Sequence, residues 1–89
     1  MDFSLTIGGK AAATSKTFNV LNPVDESVVA ACPQGTVALV DEAVASAREA
    51  FRSWAALPDA ERVAKLMAIA DLIEKHHPEL SELITREQG

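Results

Sequence analysis

The spacing of the apolar residues changes along the chain near Pro33-Gln34-Gly35. Before this point they alternate with polar residues or form short runs of β-branched and aromatic side chains, as strands do. After it they recur every three or four residues, as along one side of a helix. We therefore predict a β-rich part at residues 1–35 and a helical part at residues 36–89.

Two antiparallel hairpins are predicted in the β-rich part. Phe3, Leu5 and Ile7 alternate with polar residues, and Gly8-Gly9 can supply the positive φ angles of a two-residue turn before the chain returns at residues 10–12. The second hairpin pairs residues 17–21 with residues 27–32, because both runs are rich in strand formers. The intervening Asn22-Pro23-Val24-Asp25-Glu26 is typical of a turn.

Two long helices and one short helix are predicted after residue 35. Thr36 is a suitable N-cap for the first helix, and Asp59, after the helix-breaking Pro58, is a suitable N-cap for a second helix at residues 60–76. Pro78 suits the first position of the third helix. The apolar stripe of the first helix comprises Val40, Ala43, Val44, Ala47, Ala50, Phe51 and Trp54.

The second helix is apolar over more than half of its circumference, which is wider than one neighbouring element covers. Leaving two or three such side chains in water would forfeit several kcal/mol at about 25 cal/mol per Å2, an amount comparable to the stability of a small domain. Part of this surface should therefore meet another layer of protein. The residues concerned are Val63, Leu66, Met67, Ile69, Ala70, Leu72 and Ile73.

Charge and cysteine content argue against several classes of protein. The net charge is −5, and the eight basic residues are scattered, whereas binding to nucleic acid or to an anionic membrane needs clustered positive charge. The acidic start at Met1-Asp2 does not resemble a secretory leader, and no apolar run is long enough to span a membrane. One cysteine cannot form an internal disulfide. We expect a cytoplasmic protein without nucleic-acid or membrane partners.

No set of residues predicts a catalytic, cofactor-binding or metal site within the chain. Cys32 closes an apolar strand with no base beside it and is interpreted as structural. His76-His77 and Glu79 could suggest metal ligands, but adjacent helical residues point about 100° apart and no second cluster completes a coordination shell. Gly8-Gly9-Lys10 lacks the earlier glycine of a phosphate loop and is interpreted as a turn. A helix end in solvent and an ordinary turn are the alternatives at these positions.

Arg62 is placed unusually, because a cation near the start of a helix is poorly placed relative to the helix dipole. A fixed carboxylate partner would explain it. An ordinary exposed arginine is the alternative.

In order, the segments resemble the amino-terminal stretch of the NAD(P)-dependent aldehyde dehydrogenase superfamily along nearly the whole chain. Ile7-Gly8-Gly9-Lys10 resembles the opening hairpin of that family, and Thr17 to Pro23 resembles its strand ending in Asn-Pro. Glu87-Gln88-Gly89 resembles the start of Glu-x-Gly-Lys-Pro, and we expect Lys-Pro to follow in the complete protein. The sequence departs from the family at Asp25-Glu26, where a turn glycine is usual, and at Ala11, where an aromatic is common. The remaining matches are Val28 to Pro33, the first-helix segment from Val40 to Trp54, and the second-helix residues Glu61, Arg62, Leu66 and Ile69 to Glu74.

The resemblance implies an α/β parent enzyme in which this chain is the amino-terminal part of the coenzyme-binding domain. Such an enzyme oxidises an aldehyde to a carboxylic acid with NAD or NADP, through a cysteine thiohemiacetal and a thioester, and is a homo-oligomer. Its nucleophile, base and dinucleotide-binding turn would lie after residue 89. The partners implied are the rest of the parent chain and the aldehyde. In some members, backbone carbonyls that map to Val20 and Leu21 join a monovalent cation site.

By itself, then, the chain is expected to be structural and inactive. The alternative is a free-standing α+β interaction module, without catalytic activity, that docks a partner on the apolar surface of the second helix.

Overall fold

The computed structural model describes residues 3–89, so the acidic start at Met1 and Asp2 lies outside the described residues. The described chain forms two separate two-stranded antiparallel sheets followed by three helices. This confirms the predicted arm of two hairpins followed by helices. The elements are β1 (Leu5–Ile7), β2 (Lys10–Ala12), β3 (Thr17–Leu21), β4 (Val28–Pro33), α1 (Val37–Ala56), α2 (Asp59–Lys75) and α3 (His77–Gln88).

The first hairpin turns where the paired glycines predict it. Ile7 pairs with Lys10, and Gly8 and Gly9 between them have φ angles of 60° and 76°. Residues with side chains rarely adopt this conformation. The twist of a turn built from two such residues matches the right-handed twist of the strands that flank it. The two glycines therefore set the register of β1 against β2.

The second hairpin closes through a turn held by side chains. Thr17 pairs with Pro33 and Leu21 with Val28, with an irregularity between Val20 and Leu21. The strand β4 begins one residue later than predicted. Ser27 instead belongs to the turn, where its backbone N–H and its hydroxyl donate to the Asp25 carboxylate at 3.0 and 2.7 Å.

The first hairpin lies against the beginning of α1. The Thr36 hydroxyl accepts a hydrogen bond from the backbone N–H of Leu39 at 3.2 Å, which confirms the predicted N-cap. A Cβ atom on Gly8 would lie 3.0 Å from Oγ of Ser46, so hairpin and helix approach closely at this point. Ala43, a small residue of the α1 stripe, lines a pocket between this helix and the first hairpin.

The prediction that Asp59 caps α2 is wrong. The N-cap position is held by Pro58, without a side-chain hydrogen bond to the helix, and Asp59 is the first residue of the helix. Its carboxylate pairs instead with the Arg62 guanidinium. An acidic side chain in the first turn is still stabilised by the positive end of the helix dipole.

The third helix returns toward the turn of the second hairpin. Pro78 was predicted at the first position of this helix, but the helix begins at His77, so Pro78 is the second residue of its first turn. At its other end Gly89 has a φ of 87°, and a Cβ atom there would lie 2.9 Å from Cγ of Pro23. The end of α3 and the Asn-Pro turn are therefore in close contact.

The described chain is flat and open. Its extents are 49, 33 and 16 Å, and its radius of gyration is 16.6 Å, against about 12 Å for a compact domain of this length. Its accessible surface is 7249 Å2, whereas a compact monomer of this size exposes about 5,000 Å2. No residue between 3 and 89 is fully buried. The elements form a layer without a closed core.

Candidate functional site

The most unusual surface of the molecule is the apolar surface of α2. Its six large apolar side chains are between 53 and 58% exposed, which is about half of each side chain. We call this set the open surface of α2. Its members are Val63, Leu66, Met67, Ile69, Leu72 and Ile73.

The open surface of α2 faces more than one direction. At 3.6 residues per turn, Met67 and Leu72 point about 140° apart. Ile69, Leu72 and Ile73 line a groove toward α3, together with Leu80 and Leu83 of that helix. Val63, Leu66 and Met67 do not line this groove. Sequence reasoning predicted the width of this surface but not the groove.

Phe3 reaches the same groove from the amino-terminal end of the chain. The alternating pattern placed Phe3 in the first strand, but β1 begins at Leu5. No local signal could have predicted this contact, because it joins residues about 70 positions apart in sequence. Long-range packing of this kind depends on the tertiary arrangement.

The apolar stripe of α1 is exposed along most of its length, and its first large residue, Val40, is itself 59% exposed. Val40 lines a small pocket with Leu5 and Ile7 of the first hairpin. Further along, Val44 and Phe51 remain mostly exposed. Two helices of the chain therefore present uncovered apolar surface, which soluble monomers rarely do over large contiguous areas.

Arg62 fixes the corner between α1 and α2. Its guanidinium donates to the carbonyl oxygens of Leu57 at 2.5 Å and Ala55 at 3.2 Å, and also pairs with the Asp59 carboxylate. The Arg62 side chain is 28% exposed, whereas that of Asp59 is 93% exposed. The carbonyls at the end of α1 need partners outside their own helix. Of the two alternatives for Arg62, the structure shows the carboxylate partner, and the two carbonyl contacts explain why a cation stands at this position.

The two histidines lie at the junction of α2 and α3. Nδ1 of His76 is 3.5 Å from Oε2 of Glu79, and Nε2 of His77 is 3.4 Å from Oγ of Ser81. Each ring thus has a separate partner along α3. Within residues 3–89, no group of three or more His, Cys, Asp or Glu side chains could hold a metal ion.

Cys32 and the carbonyls of Val20 and Leu21 belong to the second hairpin. Cys32 is half-buried in β4 and pairs with Phe18 across the sheet. Val20 and Leu21 flank the irregularity in β3. The structure therefore places all three in the sheet formed by β3 and β4.

Among residues 3–89, a single carboxylate has a clearly shifted pKa, and it lies in the turn of the second hairpin. The hydrogen bond from the Ser27 hydroxyl, followed by that from its backbone N–H, holds the pKa of Asp25 below its ordinary value of 3.8. Next to it, Glu26 has a φ of 62°, the left-handed conformation that favours glycine. The turn therefore keeps a left-handed residue although the sequence lacks a glycine there.

The described residues mainly provide surface for packing. The cation at the helix corner, the histidine partners and the Asp25 carboxylate are each occupied by local hydrogen bonds or ion pairs. None of the helices among residues 3–89 is both long enough and apolar enough to cross a membrane. The feature that remains is the uncovered apolar surface of α1 and α2.

Comparison with known sequences identifies the family. The sequence model of the aldehyde dehydrogenase family matches residues 10–89. The chain is 42% identical to a probable aldehyde dehydrogenase of Pseudomonas sp over 87 residues, which are 98% of this chain and 18% of that protein. It is 38% identical to malonate-semialdehyde dehydrogenase 1 of Geobacillus kaustophilus over 85 residues, 93% of this chain and 17% of that protein.

A further relative is vanillin dehydrogenase of Corynebacterium glutamicum, 42% identical over 69 residues, which are 78% of this chain and 14% of that protein. No solved structure matches the chain significantly. The chain spans less than a fifth of the length of these curated relatives. Because the family match covers most of its residues, the chain belongs to the aldehyde dehydrogenase family.

Proposed function

We propose that this chain is the amino-terminal portion of an enzyme that oxidises an aldehyde to a carboxylic acid with NAD or NADP. In that enzyme a cysteine outside this chain forms the thiohemiacetal and the thioester. The names of the relatives support aldehyde oxidation, since they include a vanillin dehydrogenase and a semialdehyde dehydrogenase. The short span of each relative that the chain covers supports a longer parent protein.

Within that enzyme, the segment is an outer layer of the coenzyme-binding domain, and residues that are not part of this chain cover the open surface of α2. The observation that carries this proposal is the exposure of six large apolar side chains on one helix. The accessible surface exceeds that of a compact monomer by about 2,200 Å2. A standard protein interface removes only about 800 Å2 from each partner. The surplus is therefore large enough for an extensive intramolecular contact.

The described residues themselves do not fit a dinucleotide. A dinucleotide-binding turn needs several glycines between a strand and a helix, so that backbone N–H groups can approach the pyrophosphate. Between β4 and α1 there is only Gly35, and the N-terminus of α1 is capped by the Thr36 side chain. The coenzyme therefore binds elsewhere in the proposed enzyme, and no catalytic step is assigned to this segment.

The proposed partners of the segment are the remainder of its own chain and, through the assembled enzyme, an aldehyde and further subunits of a homo-oligomer. A net charge of −5 with scattered basic residues supports a protein that binds neither nucleic acid nor an anionic membrane. The single cysteine supports a cytoplasmic location.

Aldehyde-dependent formation of NADH or NADPH by the longer protein tests this proposal. We expect turnover from the complete protein, none from the 89-residue chain, and restored turnover when the chain is co-expressed with the remaining segment. Steady turnover by the 89-residue chain alone would contradict a purely structural role. Sharp, reversible unfolding of that chain as a monomer that binds no apolar dye would favour a self-contained interaction module instead.

A further inference from the structure

We draw no further inference here: the strongest candidate, the apolar groove between α2 and α3 lined by Phe3, Ile69, Leu72, Ile73, Leu80 and Leu83, carries nothing because no contact among the described residues shows what covers it beyond the layer already proposed.

Discussion

Truncating Ile73 should have a small effect in the 89-residue chain and a large one in the complete enzyme. In the chain alone, 56% of Ile73 is exposed. Complete burial of an isoleucine side chain is worth about 1.5–3 kcal/mol, so the covered part contributes only about 1 kcal/mol. Alanine also favours helix by a few tenths of a kcal/mol. We expect Ile73→Ala to destabilise the isolated chain by less than about 1 kcal/mol.

In the complete enzyme, the same substitution should leave a cavity beneath the covering layer. Loss of a buried isoleucine to alanine costs about 2–5 kcal/mol. The six large apolar side chains of α2 together have roughly 5–10 kcal/mol to gain from full burial, since each is only about half covered. That range is comparable to the whole stability of a typical domain, about 5–15 kcal/mol.

Urea unfolding followed by helical circular dichroism measures the difference in both proteins. Lys75→Ala is the matched control, because Lys75 lies near Ile73 in sequence but points about 160° away around α2. The control should change stability by less than about 0.5 kcal/mol in either protein. Equal, small effects of Ile73→Ala in both proteins would refute the proposal that α2 is covered.

Three further predictions concern the turns and the helix corner in the complete enzyme. Glu26→Gly should raise the melting temperature, because relief of the left-handed conformation, about 1–2 kcal/mol, exceeds the cost of the added chain entropy of glycine in the unfolded state. The control Glu26→Ala keeps the strained backbone, and a similar rise in its melting temperature would argue against this explanation. Arg62→Met should destabilise the enzyme by about 1–3 kcal/mol, since two carbonyls lose their hydrogen-bond donor. Arg62→Lys should recover only part of that stability, because an ammonium group cannot form the same forked contacts as a guanidinium. Full recovery by lysine in thermal unfolding would count against the geometry described. The pKa of the Asp25 carboxylate, measured by NMR titration, should lie below 3.8, so its hydrogen bonds to Ser27 persist above that pH and are lost as the pH falls through the lowered pKa. Ser27→Ala should raise this pKa. An unchanged pKa would show that the serine hydroxyl is not the cause of the shift.

Local chemistry made the first hairpin turn and the start of the first helix predictable from the sequence. Gly8-Gly9 specifies the first turn because few residues tolerate two successive positive φ angles. Thr36 specifies the start of α1 because its hydroxyl satisfies a free backbone N–H. The width of the apolar surface on α2 followed from spacing alone. Each of these features depends on residues that are close together in sequence.

Features that depend on distant residues, or on competition between neighbours, were not predicted. Asp59 was expected to cap α2, but Arg62 offers its carboxylate a charged partner one helical turn away. The contact of Phe3 with the α2–α3 groove joins the two ends of the chain. Glu26 in a left-handed conformation reflects the closure of the second hairpin, which glycine would favour more.

Thiol labelling of α2 tests most directly whether the rest of the enzyme covers this helix. Leu66→Cys places a thiol on the open surface of α2, and Lys75→Cys places one about 180° away around the helix. The rate of labelling at each position is followed by mass spectrometry of its peptide, in the 89-residue chain and in the complete enzyme. We predict rapid labelling of both thiols in the isolated chain, and strong protection of the cysteine at position 66 alone in the complete enzyme. Equally rapid labelling at position 66 in both proteins would contradict the account.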